Sequence, residues 1–398
     1  MAFHVLVIGG GIGGLCLAQG LKKTGISVAV YERDRTRTDR LQGYRIHIDP
    51  EGSRALHHCL PRENFDAFVA TCGKPGKGLR IMTDQLQELM FIGSESPQDS
   101  IARDRSASRI TLRQVLLAGL EDVIHFDKHF SRYEEGPDDR VTAHFEDGTS
   151  ASGDVLVAAD GVNSRIRQQL LPHARLVDTH VTGIAAKAHL LPAFNRLEGA
   201  NAIQGGRGDG MFIARQEFQN PPQMLPKGIG GNDRAASIPP GFLFDNTQSY
   251  IFWAYITRRE KCPVAIDDTL APDTLLDIVA QRTAGWHAEL RELIQQSDPA
   301  TIAVWNIRTS VPVEHWRTTN ITLLGDAIHS MTPARGIGAN IALRDADLLR
   351  RKLAAAHEGN APLLQAIEEY ELEMIAYGFQ AVRESAQALQ MFVAEKAA

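Results

Sequence analysis

The first two dozen residues constrain this chain more than any other stretch. Val5 to Ile8 is an unbroken apolar run of strand formers, too short for a helix and suited to a sheet buried on both faces. It leads directly into Gly9, Gly11 and Gly14, spaced G-x-G-x-x-G, and then into a helical pattern with Leu15, Ala18 and Leu21 on one face. Each glycine has a mechanical purpose. Gly9 permits a sharp turn off the strand, Gly11 lets backbone approach a pyrophosphate, and Gly14 lets helix and strand pack closely. The helix N-terminus offers free N–H groups and partial positive charge to phosphates. A second strand, Ser27 to Glu32, ends in a carboxylate 18 residues past Gly14, near the roughly 20 expected of an acid that holds ribose hydroxyls.

The chain has 398 residues, enough for two or three domains at ~100–200 residues each. A net charge of −6 supplies no excess of cations to neutralise phosphates, which argues against nucleic-acid partners. Four cysteines (Cys16, Cys59, Cys72, Cys262) are scattered without metal-ligand spacing, so no metal site is expected and a reducing, cytoplasmic setting is. The start lacks the basic segment and cleavage pattern of a secretory signal. No apolar span approaches the ~20 residues needed to cross a bilayer.

Beyond Glu32, the run Arg33 to Arg40 is charge-rich, with its early arginines near whatever Glu32 holds. Gly43 to Pro50 predicts a short strand with Arg45, His47 and Asp49 on one face. Glu51 to Cys59 and the stretch from Arg109 predict helices. Thr71 to Pro97 predicts a first excursion into a second domain. A further buried strand, Asp154 to Ala159, ends at Asp160-Gly161. From about Thr179 to Trp305 short strands among Gly/Pro loops predict an antiparallel sheet, with Asn220 to Pro240 as a long irregular loop or lid. Ile321 to Leu324 returns to a buried strand ending at Gly325-Asp326, and Pro362 to Val393 predicts a long helix.

Three strand-to-turn motifs therefore recur in order: Gly9–Gly14 with Glu32, Asp160-Gly161, and Gly325-Asp326. In this order and spacing they resemble the class A FAD-dependent aromatic monooxygenases of the para-hydroxybenzoate hydroxylase fold, over nearly the whole chain. The resemblance implies an α/β fold: an FAD-binding Rossmann-like domain of the GR2 type with an inserted antiparallel-sheet substrate domain and a long C-terminal helix. The matching division is FAD binding over 1–70, 98–178 and 306–360, substrate domain over 71–97 and 179–305, and a helical segment over 361–398. It also implies FAD contacts at Gly9, Gly11, Ile12, Gly13, Gly14, Glu32, Arg33, Arg45, Arg109, Asp160, Asp326, Pro333, Gly336, Gly338, Ala339 and Asn340. In such a reading Gly336 to Asn340 cradles the isoalloxazine ring, and His329 orients its loop as a structural histidine.

With one dinucleotide fingerprint only, FAD would occupy it permanently, and NADH or NADPH would bind transiently. The implied reaction is hydroxylation of an aromatic or polycyclic small molecule with O₂, through a flavin C4a-hydroperoxide. Epoxidation and Baeyer–Villiger oxidation share the scaffold. Halogenation is disfavoured because Trp253-Ala-Tyr-Ile-Thr departs from the halogenases' W-x-W-x-I-P. A non-catalytic module resembling GDP-dissociation inhibitors is disfavoured by the intact glycines and Glu32. Phe212, Trp253 and Tyr255 are candidate substrate contacts. Arg45 and His47 are candidates for polarising a phenol or holding an acidic group. The protein is expected to act as a monomer or a homodimer.

Overall fold

The structure, a computed structural model, describes residues 3–36, 43–74, 76–93, 99–136, 138–218, 249–262, 266–267 and 269–394. The Asn220–Pro240 loop lies outside the described residues. Among those described, the apolar runs found in the sequence assemble one parallel sheet, in the order Ile321–Leu323, Val155–Ala158, His4–Ile8, Ser27–Tyr31 and Ile124–His125. Its central strands are buried on both faces, which is why they read as continuous rather than alternating apolar stretches. The glycine helix, Ile12–Lys23, packs on this sheet, joined by Pro50–Cys59 and the 20-residue helix Gly338–His357. Arg62–Thr71 is a helix that the sequence pattern did not single out; it packs against Arg109–Leu117.

A second, seven-stranded sheet runs Ala303–Ser310, Leu176–His189, Tyr250–Arg258, Asp209–Gln216, Ala200–Gln204, Gly78–Thr83 and Glu88–Gly93. Strands from the two stretches expected to form a substrate domain, 71–97 and 179–305, share it, although Leu176–His189 begins before the second stretch and Ala303–Ser310 ends after it. It is antiparallel apart from one parallel pairing, Ala200–Gln204 beside Gly78–Thr83. Two helices, Pro272–Arg282 and Ala288–Gln295, cover one face where only loops and strands were expected. A two-stranded ribbon, Arg45–Ile48 with Arg105–Ser108, lies between the two large sheets. The helix Leu363–Phe392 joins both parts: Tyr370 donates to the Leu323 carbonyl at 2.9 Å, while Leu389 packs with Val181, Ile256 and Ile307.

Candidate cofactor and substrate site

The carboxyl ends of the parallel strands open into one cavity of about 1630 Å³ whose far wall is a face of the large sheet. That exceeds the ~300–1,000 Å³ of an ordinary ligand pocket, so two ligands can lie side by side. The glycine loop forms one end. Gly9 takes a φ of +111°. A Cβ on Gly14 would sit 2.2 Å from the Gly9 carbonyl oxygen, so helix and strand touch through bare backbone. A Cβ on Gly11 would meet nothing within 4 Å and would project into space. No side chain caps the helix that follows, and its first turn holds no acid. The first-turn N–H groups remain as anion donors.

Glu32 holds this loop in shape. Its Oε2 accepts the Gly10 N–H at 2.6 Å, and Oε1 accepts the Asp34 N–H at 2.9 Å. Arg113, which sequence reasoning missed, donates from Nε to the Gly10 carbonyl at 3.2 Å and from Nη2 to Asp34 at 3.3 Å. It lies four residues beyond Arg109 on one helix, so both face the same way; that spacing was the available signal.

Arg109 and Asp326 both open onto the cavity, their side chains accessible within it although protein walls stand close on several sides. Burial pushes the Arg109 guanidinium down and the Asp326 carboxyl up, and each partly offsets the other. Asp160 accepts the Arg165 N–H at 3.0 Å through Oδ2, whereas its buried Oδ1 has no partner among the described residues. Between the two ends, Pro333, Gly336, Gly338 and Ala339 line the cavity. Gly336 has a φ of +65° with open space where a Cβ would be, so backbone presents a flat, uncluttered shelf.

The structure gathers Gly9, Gly11, Ile12, Gly13, Gly14, Glu32, Arg33, Arg45, His47, Arg109, Asp160, Asp326, Pro333, Gly336, Gly338, Ala339 and Phe212 around this one cavity. Asn340 is not on its wall. Its amide is buried, with Oδ1 accepting the Asp49 N–H at 3.0 Å and Nδ2 donating to the His47 carbonyl at 2.9 Å, so it fastens the shelf to the ribbon. His47 also pairs with Asp104, Nε2 to Oδ1 at 3.0 Å. Burial, with Arg45 nearby, keeps its imidazole below the usual value and hence neutral at physiological pH.

Two substrate candidates require correction. Trp253 and Tyr255 lie on the opposite face of the sheet, fully buried beneath the two covering helices. Trp253 Nε1 donates to Ser297 Oγ at 2.8 Å, and the Tyr255 hydroxyl donates to Asp209 at 2.8 Å beside Arg282. Pairing register decides this. Phe212 opposes Ala254, so Phe212 shares its face with Phe252, Ala254 and Ile256 and not with Trp253 or Tyr255. Ala202 opposes Phe212 and Ala185 opposes Ala254, and these small residues hollow the wall. Trp305 fits because Gly183 opposite it is bare: a Cβ there would lie 2.7 Å from the indole.

A dinucleotide carrying a flat ring fits these residues. The loop donors and Gly11 suit a pyrophosphate, the orphaned Asp160 oxygen awaits a donor, and the Gly336 shelf admits an aromatic plane. Comparisons with known proteins agree. The profile of an NAD(P)-binding Rossmann-like domain matches residues 7–60, and that of an FAD binding domain matches residues 247–385. A solved Photorhabdus luminescens subsp. laumondii protein, described as an FAD-containing monooxygenase, is 35% identical, with a TM-score of 0.84 over 98% of this chain and 99% of its own. The FAD-dependent monooxygenase thnD of Trichoderma harzianum is 29% identical over 96% of this chain and 91% of that protein. The dual O-methyltransferase/FAD-dependent monooxygenase elcB of Phaeosphaeria nodorum is 30% identical over 89% of this chain. The chain spans only 41% of elcB, and 44% of two similar dual enzymes from Cercospora. The chain belongs to the class A FAD-dependent aromatic monooxygenase family, with FAD as its cofactor.

Proposed function

We propose that this protein hydroxylates an aromatic or polycyclic small molecule, using NAD(P)H and O₂. One observation carries the reading: a single cavity runs from the glycine loop, past the Gly336 shelf, to an aromatic face of the large sheet. In the family's 3-amino-4-hydroxybenzoate 2-monooxygenase PtmB3 of Streptomyces platensis, 29% identical over 94% of this chain, the substrate named is aromatic.

Bound FAD supplies two-electron transfer from NAD(P)H and the activation of O₂. Gly9 to Gly14, Glu32 and Arg33 would hold its adenosine and pyrophosphate end, with Arg109, Asp160 and Asp326 along the middle. Pro333, Gly336, Gly338 and Ala339 would hold the ring, with Asn340 bracing them from behind. The sheet residues Phe212, Phe252 and Trp305 orient the substrate ring and exclude water, which suppresses unproductive side reactions. His47, neutral and paired with Asp104, can accept or return a proton at Nδ1. The division into an FAD domain, a sheet domain and a helical segment follows the two sheets. None of the described helices is long and apolar enough to cross a membrane. With four cysteines, none of them in a disulfide, we place the protein in the cytoplasm.

Anaerobic stopped-flow of the FAD-loaded protein with NADH and NADPH, against a panel of phenols, indoles and polycyclic quinones, tests this. Flavin reduction accelerated by an aromatic, followed by oxygenated product in air, is the expected result. Reduction indifferent to every aromatic would refute it.

A further inference from the structure

The face of the large sheet that bounds the cavity continues past the cavity's rim. Its register can be followed strand by strand. Phe212 opposes Ala202, Ala202 stands beside Ile81, and Ile81 opposes Met90. One row over, Ala200 stands beside Leu79, and Leu79 opposes Ile92. Register partners share a face, so these side chains make one strip leading from Phe212 to the strand Glu88–Gly93. Phe212, Ala202, Ala200, Leu79, Ile81 and Ile92 all line the cavity, and among the described residues these strands give its lining no charge.

The strip emerges into solvent by degrees. Ala202 is 6% exposed, Ile92 49%, and Met90, just beyond the cavity, 55%. Glu88–Gly93 is the last strand of its sheet. Edge strands ordinarily carry charges or proline that deter pairing, yet Leu89 to Ile92 are four apolar side chains in a row. The opposite edge strand, Ala303–Ser310, is packed by the helix Leu363–Phe392.

The length of the strip indicates what it holds. A ring packed on Phe212 and Phe252, whose centroids are 6.3 Å apart, occupies two neighbouring strands. Three further strand-to-strand steps separate Phe212 from Ile92, roughly 14 Å at ~4.8 Å each. An extended hydrocarbon chain of about ten carbons spans that distance, and each methylene laid on the strip displaces water from an apolar surface. A second copy of the protein seated on the edge would cover only the exposed end. The strip begins inside the cavity, beside the ring site, where a ligand reaches and a neighbouring sheet does not.

Resting on the aromatic-hydroxylation reading above, we propose that the aromatic substrate carries a hydrocarbon chain, linear or branched. The chain leaves the ring at Phe212, crosses Ala202, Ala200 and Leu79, and ends against Ile92 and Met90 at the open edge of the sheet. The ring is the part oxygenated, and the chain selects among ring compounds by the apolar surface it covers.

The test uses FAD-loaded protein and a phenol series bearing methyl, propyl, pentyl, heptyl and nonyl chains. Dissociation constants come from the perturbation of flavin absorbance, turnover from NAD(P)H oxidation, and oligomeric state from size-exclusion chromatography with light scattering. Affinity should rise about two- to fourfold for each methylene. I92D should remove the increments contributed by the longest chains. A200W, which fills the strip midway, should remove them from pentyl onward and serves if I92D does not fold. Affinity indifferent to chain length, or a chain-length dependence kept intact in both variants, overturns the proposal while aromatic hydroxylation stands. So does a wild-type dimer that I92D dissociates with the dependence retained, since the edge would then serve a second copy. A series in which no phenol of any length perturbs the flavin or stimulates NAD(P)H oxidation removes the underlying function as well.

Discussion

His329 Nε2 lies 2.7 Å from Asp345 Oδ2, and both side chains are buried directly behind the turn that presents Asp326. The same carboxylate oxygen accepts the Gly325 N–H at 2.8 Å, and the other oxygen accepts the Tyr377 hydroxyl at 2.6 Å. Burial drives the imidazole down, but the charge and hydrogen bond of Asp345, with Asp326 close by, raise it net above the ordinary value. A group raised on folding contributes stability that is complete below its unfolded pKa, near 6.5, and disappears as pH climbs through the folded value. Urea denaturation from pH 6 to 9 should therefore show stability falling above neutrality. H329N should flatten that slope. D345N, which strips the pair of its anion, should cost about 3–5 kcal/mol.

Gly11 and Gly14 should separate binding from folding. An added methyl at Gly14 meets a carbonyl oxygen at 2.2 Å, whereas one at Gly11 meets only open space. G14A is expected to lower the yield of folded protein or its Tm sharply. G11A is expected to keep the Tm of the cofactor-free protein while losing most FAD affinity, read by titration of the apoprotein.

Glu32 accepts two backbone N–H groups within the loop it serves. E32Q offers one oxygen where two are required, with no charge. FAD affinity should drop about tenfold or more, as expected when a charge-assisted hydrogen bond is lost, and equilibrium titration by flavin fluorescence measures it.

Glu371, on the long C-terminal helix, is fully buried and accepts from Thr318 at 2.7 Å, yet burial raises its carboxyl to about 7. Because that pKa lies above the unfolded one, stability is complete below about 4.5 and declines as pH rises towards 7. E371Q should abolish this decline, a difference of about 3 kcal/mol at pH 8. Chemical denaturation of both proteins across pH 4.5–8 checks it.

Neighbouring residues of one strand should differ in their effect on KM. F252A removes an aromatic surface from the cavity and should raise the KM for an aromatic substrate, with a lowered Tm as well because the ring also packs on Tyr44 and Phe212. Y255F loses only a bond to Asp209 on the far face and should cost about 1 kcal/mol of stability with KM unchanged.

The parallel sheet and its turns were legible because each rests on local chemistry: a buried apolar run, a glycine, an acid, in that order. Gly9 to Gly14 with Glu32, Asp160 and Asp326 arrive at one cavity from three places in the chain. The wall of the large sheet was not legible. In Tyr250–Arg258 both faces are apolar, since one lines a cavity and the other a helical layer, so alternation gave no polar side to exclude. Only the opposition of Phe212 to Ala254, a contact between strands far apart in sequence, distinguishes Phe252 from Trp253. Asn340 misled for a related reason: its backbone lies beside the shelf, but its side chain turns back to the ribbon. Arg113 and Asp345 went unseen because a hydrogen bond to a distant backbone atom leaves no periodic trace in sequence.

Glu32 and Asp326 stand nearly three hundred residues apart, yet they border the same hollow. A chain emerging from the ribosome completes its glycine loop long before the opposite rim exists. Flavin capture is then a late event that bridges both rims, and by linkage the bound cofactor adds its binding free energy to the stability of the fold.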